Sequence, residues 1–200
     1  MTEYVELHCH SNFSFREGAS TVEELIRQAL VLGYPALAVT DHDNLSGAMR
    51  FARKAIREGL KPITGAEITL AGQSHLTLLA ATPVGYSNLC NLLSFARYFG
   101  DRQRPELDPS LLPEHAEGLV LLTGCPRGAV SRAVDEGRMD DAIELIDQYR
   151  EWFGEDGVFL ELQQNLVRGD TARIKHLVAL GRNLGVPLVA TNNVHYHVKE

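Results

Sequence analysis

Two histidines stand one residue apart near the start of the chain, in Leu7-His8-Cys9-His10-Ser11. In an extended strand, residues i and i+2 point to the same face, so both imidazoles can reach one ion. Groups of the same chemical kind recur in order along the chain. They are Glu17, Thr40-Asp41-His42-Asp43, Gly65-Ala66-Glu67, His75, Thr123-Gly124-Cys125-Pro126 and Asn193-Val194-His195. Imidazole, carboxylate and thiolate together suit a borderline divalent ion such as Zn²⁺, or Mn²⁺ and Fe²⁺ where oxygen ligands dominate. A carboxylate such as Glu67 can bridge two ions. Two ions roughly 3.5 to 4 Å apart clamp the attacking and leaving oxygens of a phosphoryl displacement and acidify a bound water. The set therefore points to phosphoester hydrolysis.

Other polar residues have plainer readings. Asp41 reads as the hydrogen-bond partner that orients an imidazole rather than as a ligand. Cys125 reads equally as a ligand or as a small buried hydrophobe. Glu161, inside Phe159-Leu160-Glu161-Leu162, reads as a satisfied polar group in a barrel wall. His115 and His176 read as solvated, and Cys9 and His197 adjoin ligand positions on the wrong alternation.

Strands and helices that could position these groups alternate along the whole chain. Seven strands are expected, over Tyr4–His8, Ala36–Thr40, Pro62–Thr69, His75–Ala80, Gly118–Leu122, Val158–Leu162 and Pro187–Thr191. The first helix is marked by overlapping capping boxes in Ser20-Thr21-Val22-Glu23-Glu24, by Val22, Leu25, Ile26 and Ala29 at helical spacing, and by Gly33 as its stop. Further helices are expected over Leu45–Glu58, Tyr86–Tyr98, Met139–Phe153 and Thr171–Leu184, with Asp101–Glu117 as a loop carrying a helical turn. Alternating β and α units with short apolar strands predict an α/β fold with a parallel sheet closed into a barrel. In such barrels functional groups gather on the loops at the C-terminal ends of the strands. Five of the seven expected strands put a metal-competent side chain at that rim; His75 departs from the rule by starting a strand.

Two hundred residues, 44% hydrophobic and 22% charged, describe one globular domain over residues 1–200. No apolar run is long enough to span a bilayer, and the N-terminus lacks a basic segment followed by an apolar one. Three scattered cysteines make no disulfide framework and fit a reducing, cytoplasmic setting. A net charge of -7 argues against a free-standing nucleic-acid binder. The one dense basic stretch, Arg50 to Lys61, reads as the solvated face of a helix.

The ordered set His8-x-His10, Thr40-Asp41-His42, Gly65-Ala66-Glu67, His75-Leu76, Thr123-Gly124-Cys125-Pro126 and Val194-His195-Tyr196 resembles the polymerase and histidinol phosphatase (PHP) domain. It is similar in particular to the form found at the N-terminus of bacterial DNA polymerase III alpha subunits and their error-prone relatives. The resemblance implies a distorted seven-stranded (β/α)7 TIM-like barrel with up to three divalent ions, Zn or Mn, in a cleft at its rim. It places His8, His10, Glu17, His42, Glu67, His75, Cys125 and His195 at metal positions. Asn193 falls at a further metal-binding place, one the resemblance implies is catalytic, where the family commonly has Asp, and Glu17 also stands where Asp is common. The amide is a neutral, weaker ligand than a carboxylate.

Metal-dependent phosphoester hydrolysis is the implied activity, with 3′-to-5′ exonuclease action in some replicative members and a purely supporting role in others. The implied partners are the remainder of a longer polymerase chain and, through it, DNA. The chain is thus expected to be a fragment of such a polymerase. A catalytically degenerate support and a stand-alone small-molecule phosphatase are the rival readings.

Overall fold

A computed structural model describes residues 4–100 and 104–198. Its strands are β1 (Ala36–Val39), β2 (Lys61–Leu70), β3 (Ser74–Ala80), β4 (Leu119–Leu122), β5 (Val158–Gln163) and β6 (Leu188–Thr191). They form one mixed sheet in chain order, curled into a half-barrel. Neighbours are parallel at β1–β2, β4–β5 and β5–β6, and antiparallel at β2–β3 and β3–β4.

The structure departs from two expectations. The sheet is not wholly parallel, because Ala71 to Gln73 is too short to carry a crossover and turns the chain straight back into a hairpin. Gly72 (φ 85°) and Gln73 (φ 62°) supply the left-handed turn. The expected first strand, Tyr4–His8, is also not a strand. This segment changes partner within a few residues, pairing Glu6 with Leu37 and then Cys9 with Val194, so neither ladder propagates. It nonetheless hydrogen-bonds to both sides, through Thr40 N–H to the Cys9 carbonyl (2.8 Å) and His10 N–H to the Val194 carbonyl (2.7 Å).

The helices are α1 (Val22–Val31), α2 (Ala48–Arg57), α3 (Pro83–Phe99), α4 (Ala129–Asp135), α5 (Met139–Phe153) and α6 (Asp170–Leu184). Thr21 and Glu24 close the capping box of α1, which buries Val22, Leu25, Ile26 and Ala29 as its spacing requires. On α2 the basic side chains face water and pair as Arg50–Glu23 (2.7 Å) and Lys54–Glu58 (2.6 Å). Helix α4 is too short for periodicity to announce it.

Within the expected loop, Asp101 to Gln103 lie outside the described residues. The remainder makes two 3-10 turns, Pro109–Leu111 and Pro113–His115, with Leu107 and Leu112 buried. His115 is half-buried rather than solvated: its ring meets Phe95 edge-on and Nδ1 donates to the Leu111 carbonyl (3.0 Å). His176 is exposed as expected.

One apolar core lies between β2–β5 and α3–α6, and a second packs Cys9, Leu37 and Val39 against α1 and α2. No described helix is long and apolar enough to cross a membrane.

Candidate metal centre

Register places the first pair of site residues. Along β1 and β2 Val39 stands opposite Thr64, and the same register continued past β1 sets His42 opposite Glu67. Because β3 runs back along β2, its first residues lie at the same rim, with His75 opposite Thr69. His75 therefore obeys the rim rule from the start of a strand. The loop after β4 presses onto β3: a Cβ on Gly124 (φ 89°) would lie 2.8 Å from the His75 carbonyl oxygen. This approach sets Cys125 Sγ 3.6 Å from His75 Nδ1. His8 and His10 enter from the first segment with Cys9 turned to the opposite, apolar side, as alternation requires.

The centre of the arrangement is Glu67, whose two carboxylate oxygens face four imidazoles. Oε1 lies 3.1 Å from His75 Nδ1 and 3.6 Å from His8 Nε2; Oε2 lies 3.0 Å from His42 Nδ1 and 3.4 Å from His10 Nε2. Two groups of ligand atoms, His8–His10–Glu67 and His42–Glu67–His75, each fall within 4.8 Å of one another and share the carboxylate.

The remaining candidates touch this cluster from outside it. Glu17 Oε2 is 3.6 Å from His42 Nδ1, while its other oxygen accepts from Arg127 (3.3 Å). Asn193 (φ 49°) turns its amide oxygen to His10 Nε2 at 3.0 Å. His195 stacks on His10, with ring centres 4.8 Å apart, and Nδ1 donates to the Glu17 carbonyl (3.1 Å). The metal candidates read from the sequence thus lie in one neighbourhood. Among the described residues, only His8, His10, His42, Glu67 and His75 come within common ligand reach.

Burial is the largest influence on Glu67 and would raise its pKa, but the His8 charge and bonds from His10, His42 and His75 hold the carboxyl well below its ordinary range. For His8, burial favours the neutral ring, yet Glu161 and Glu67 outweigh it and push its pKa well up. His42 is raised in the same way, against burial, chiefly by Glu67. Burial and the neighbouring His10 push His195 down. Burial, then Glu67, drive the Cys125 thiol up, leaving it neutral beside His75.

The side chains supporting the histidines were the less legible part. Asp41 does not orient the adjacent His42. Its oxygens accept from Ser11 N–H, Ser11 Oγ and Ser14 Oγ, each at 2.7 Å, and Ser14 Oγ meets His10 Nδ1 at 3.1 Å. His42 instead has Thr69 Oγ1 at 3.1 Å from Nε2. Glu6, unremarked in the sequence, is buried and accepts from the backbone N–H groups of His8 (3.0 Å) and Asn192 (3.1 Å), tying the two ends of the site together. Glu161 is not a fully satisfied wall group: Oε1 meets His8 Nδ1 at 2.7 Å, but buried Oε2 has no partner among the described residues. An acid inside an apolar strand was the signal available, since a buried charge requires a partner.

These donors fit a divalent ion. His10 Nε2 faces two oxygen acceptors, from Asn193 and Glu67, and His8 Nε2 is buried with no hydrogen-bond partner. Nitrogen and oxygen lone pairs converge where positive charge is required, and a carboxylate stands where two ions could share it.

The PHP domain family matches residues 6–165, and the chain belongs to that family. It is 42% identical to an error-prone DNA polymerase of Symbiobacterium thermophilum over 98% of this chain and 20% of that protein. It is 39% identical to DNA polymerase III subunit alpha of Treponema pallidum over 98% of this chain and 18% of that one. The chain therefore spans about a fifth of the length of these relatives. Among solved structures, a putative metal-dependent phosphoesterase from Bifidobacterium adolescentis aligns over 98% of this chain and 88% of its own, at TM-score 0.67 and 16% identity. A lesion-specific endonuclease from Pyrococcus furiosus aligns over 96% and 48%, at TM-score 0.58 and 16% identity. Those two likenesses speak for the fold.

Proposed function

We propose that this PHP domain is a metal-dependent phosphodiesterase module within a longer DNA polymerase of the error-prone type, acting as a 3′-to-5′ exonuclease on DNA ends. The observation that carries the reading is the buried Glu67 carboxylate ringed by His8, His10, His42 and His75. The identity and coverage of the polymerase relatives support the larger chain as partner and as the surface that would hold DNA.

His8, His10 and Glu67 would hold one ion and His42, Glu67 and His75 a second, with Cys125, Glu17, Asn193 and His195 completing their surroundings. A third ion is the upper limit, and Zn²⁺ or Mn²⁺ suits the donors. When bound, such ions supply Lewis acidity toward phosphoryl oxygens and a water acidic enough to attack near neutral pH. The protein's own groups do the positioning. Asp41, through Ser14, orients His10, and Thr69 orients His42. Exposed Arg127, anchored on Glu17, offers a guanidinium to a substrate phosphate at the mouth of the site.

One observation favours a second reading, in which the domain keeps metal but only supports the polymerase body: Asn193 gives a neutral amide where a carboxylate would strengthen the centre. Incubation of the chain with Mn²⁺ or Zn²⁺ and 5′-labelled single-stranded DNA separates the two. The expected result is stepwise release of nucleotides, abolished by chelation and by Glu67→Ala. Metal uptake without any hydrolysis would establish the supporting role instead.

A further inference from the structure

We propose that Glu161 is a positioning residue of the metal centre, fixing His8 from behind so that Nε2 is presented to Glu67. The inference rests on the reading that the cluster holds a divalent ion.

Glu161 and Gln163 lie on the same face of β5, and Gln163 stands opposite Thr191 on β6. All three are buried and hydrogen-bond to one another beside His8. Of the three polar atoms that meet His8 Nδ1, Glu161 Oε1 is the nearest, ahead of Thr77 Oγ1 and the Gln163 amide nitrogen at 3.3 Å each. Glu161 Oε1 accepts from the Gln163 amide (2.8 Å) and from the Thr191 hydroxyl, and lies 2.7 Å from His8 Nδ1. Oε1 already takes hydrogens from two donors and so faces Nδ1 as an acceptor, which puts the hydrogen of this bond on Nδ1.

With Nδ1 committed to Glu161, Nε2 is the one nitrogen of His8 left to meet a ligand, and it is also the one without a hydrogen-bond partner. A carboxylate on the far side of a ligating imidazole sets its orientation and raises its basicity. Glu161 does this without coming within reach of the shared centre itself, for it belongs to neither ligand group. A carboxylate with one unpartnered buried oxygen is costly in a strand interior. Its bond to His8 gives that cost a functional counterpart.

The test uses ¹⁵N-labelled chain and Zn²⁺. In the wild type the expected result is a downfield, slowly exchanging proton on His8 Nδ1, present with and without Zn²⁺. Glu161→Leu should lose that proton and bind Zn²⁺ on the order of 10- to 100-fold more weakly. Glu161→Gln, which keeps an acceptor in place, should restore the proton and most of the affinity. If the Leu variant does not fold, Glu161→Asp keeps the charge but withdraws it by one methylene and should weaken Zn²⁺ similarly. A wild-type His8 without a proton on Nδ1, or a folded Glu161→Leu or Glu161→Asp variant with unchanged Zn²⁺ affinity, would overturn the proposal. A wild type showing the Nδ1 proton but taking up no Zn²⁺ would instead overturn the metal reading, and the positioning role with it.

Discussion

His42, three residues beyond the end of β1, makes a parallel bridge to Glu67 of β2 in the β1–β2 register, with Nδ1 3.0 Å from Oε2. Backbone pairing, rather than loop conformation, thus sets the distance between a histidine and the carboxylate it shares with three others. Sites built on such rigid elements hold their geometry without being ordered by the ligand.

Glu67 belongs to both ligand groups, so its loss should weaken both together. Glu67→Ala is expected to reduce Zn²⁺ affinity by on the order of a hundredfold or more, as for loss of a central ligand. Competition against a chromophoric chelator measures this directly. Affinity within about threefold of the wild type would remove Glu67 from the centre.

The pH dependence of the metal-free chain follows from the same cluster. Glu67 is depressed from its reference value of 4.5, so its contribution is present above that value and is lost as pH falls through the lowered one. His8 and His42 are raised from 6.5, so theirs is complete below that value and is lost as pH rises through the raised ones. In chelator, the urea midpoint should therefore be highest at mildly acidic pH, between about 4.5 and 6.5, and decline above neutrality. Zn²⁺, which requires deprotonated imidazoles, should remove the decline. A midpoint rising steadily to pH 9 in chelator would contradict this.

The amide of Asn193 lies 3.0 Å from His10 Nε2, and Asp is tolerated at its positive φ of 49°. Asn193→Asp places a carboxylate against the centre and should tighten divalent-ion binding by on the order of tenfold. Hydrolysis of labelled DNA should rise in parallel. Unchanged affinity, measured by calorimetry, would place residue 193 outside the coordination shell.

Glu17 depends on its neighbour Gly18, where an added Cβ would fall 1.8 Å from the Ser11 carbonyl oxygen. Backbone cannot yield as a flexible side chain would. Gly18→Ala should destabilise the chain by about 1 to 3 kcal/mol and shift Glu17 away from His42. Denaturation midpoints check the first effect; a midpoint equal to the wild type would show that the loop relaxes freely.

The metal-competent residues were legible because ligand chemistry restricts residue type and strand alternation fixes facing: His8 and His10 point inward together while Cys9 joins the opposite core. Capping and periodicity likewise announced α1. The antiparallel course of β3 was overlooked although a signal existed, since the short link between Thr69 and His75 leaves no room for a crossover helix. Correcting it turns His75 from an exception into a member of the rim. Glu161 and the Asp41–Ser14–His10 chain were less readable, because their partners lie far apart in sequence or one turn away, and only folding reveals which imidazole each meets. Segment Tyr4–His8 has strand composition, but its switch from Leu37 to Val194 depends on the position of both strands.

The central claim is that Glu67 is the shared ligand of a divalent-metal centre. Anomalous diffraction from crystals of the chain grown with Zn²⁺, recorded on both sides of the zinc edge, tests it most directly. The account requires edge-dependent peaks within coordination distance of Glu67, one beside His8 and His10 and a second beside His42 and His75. Fully ordered side chains at this rim with no edge-dependent density at saturating Zn²⁺ would contradict it.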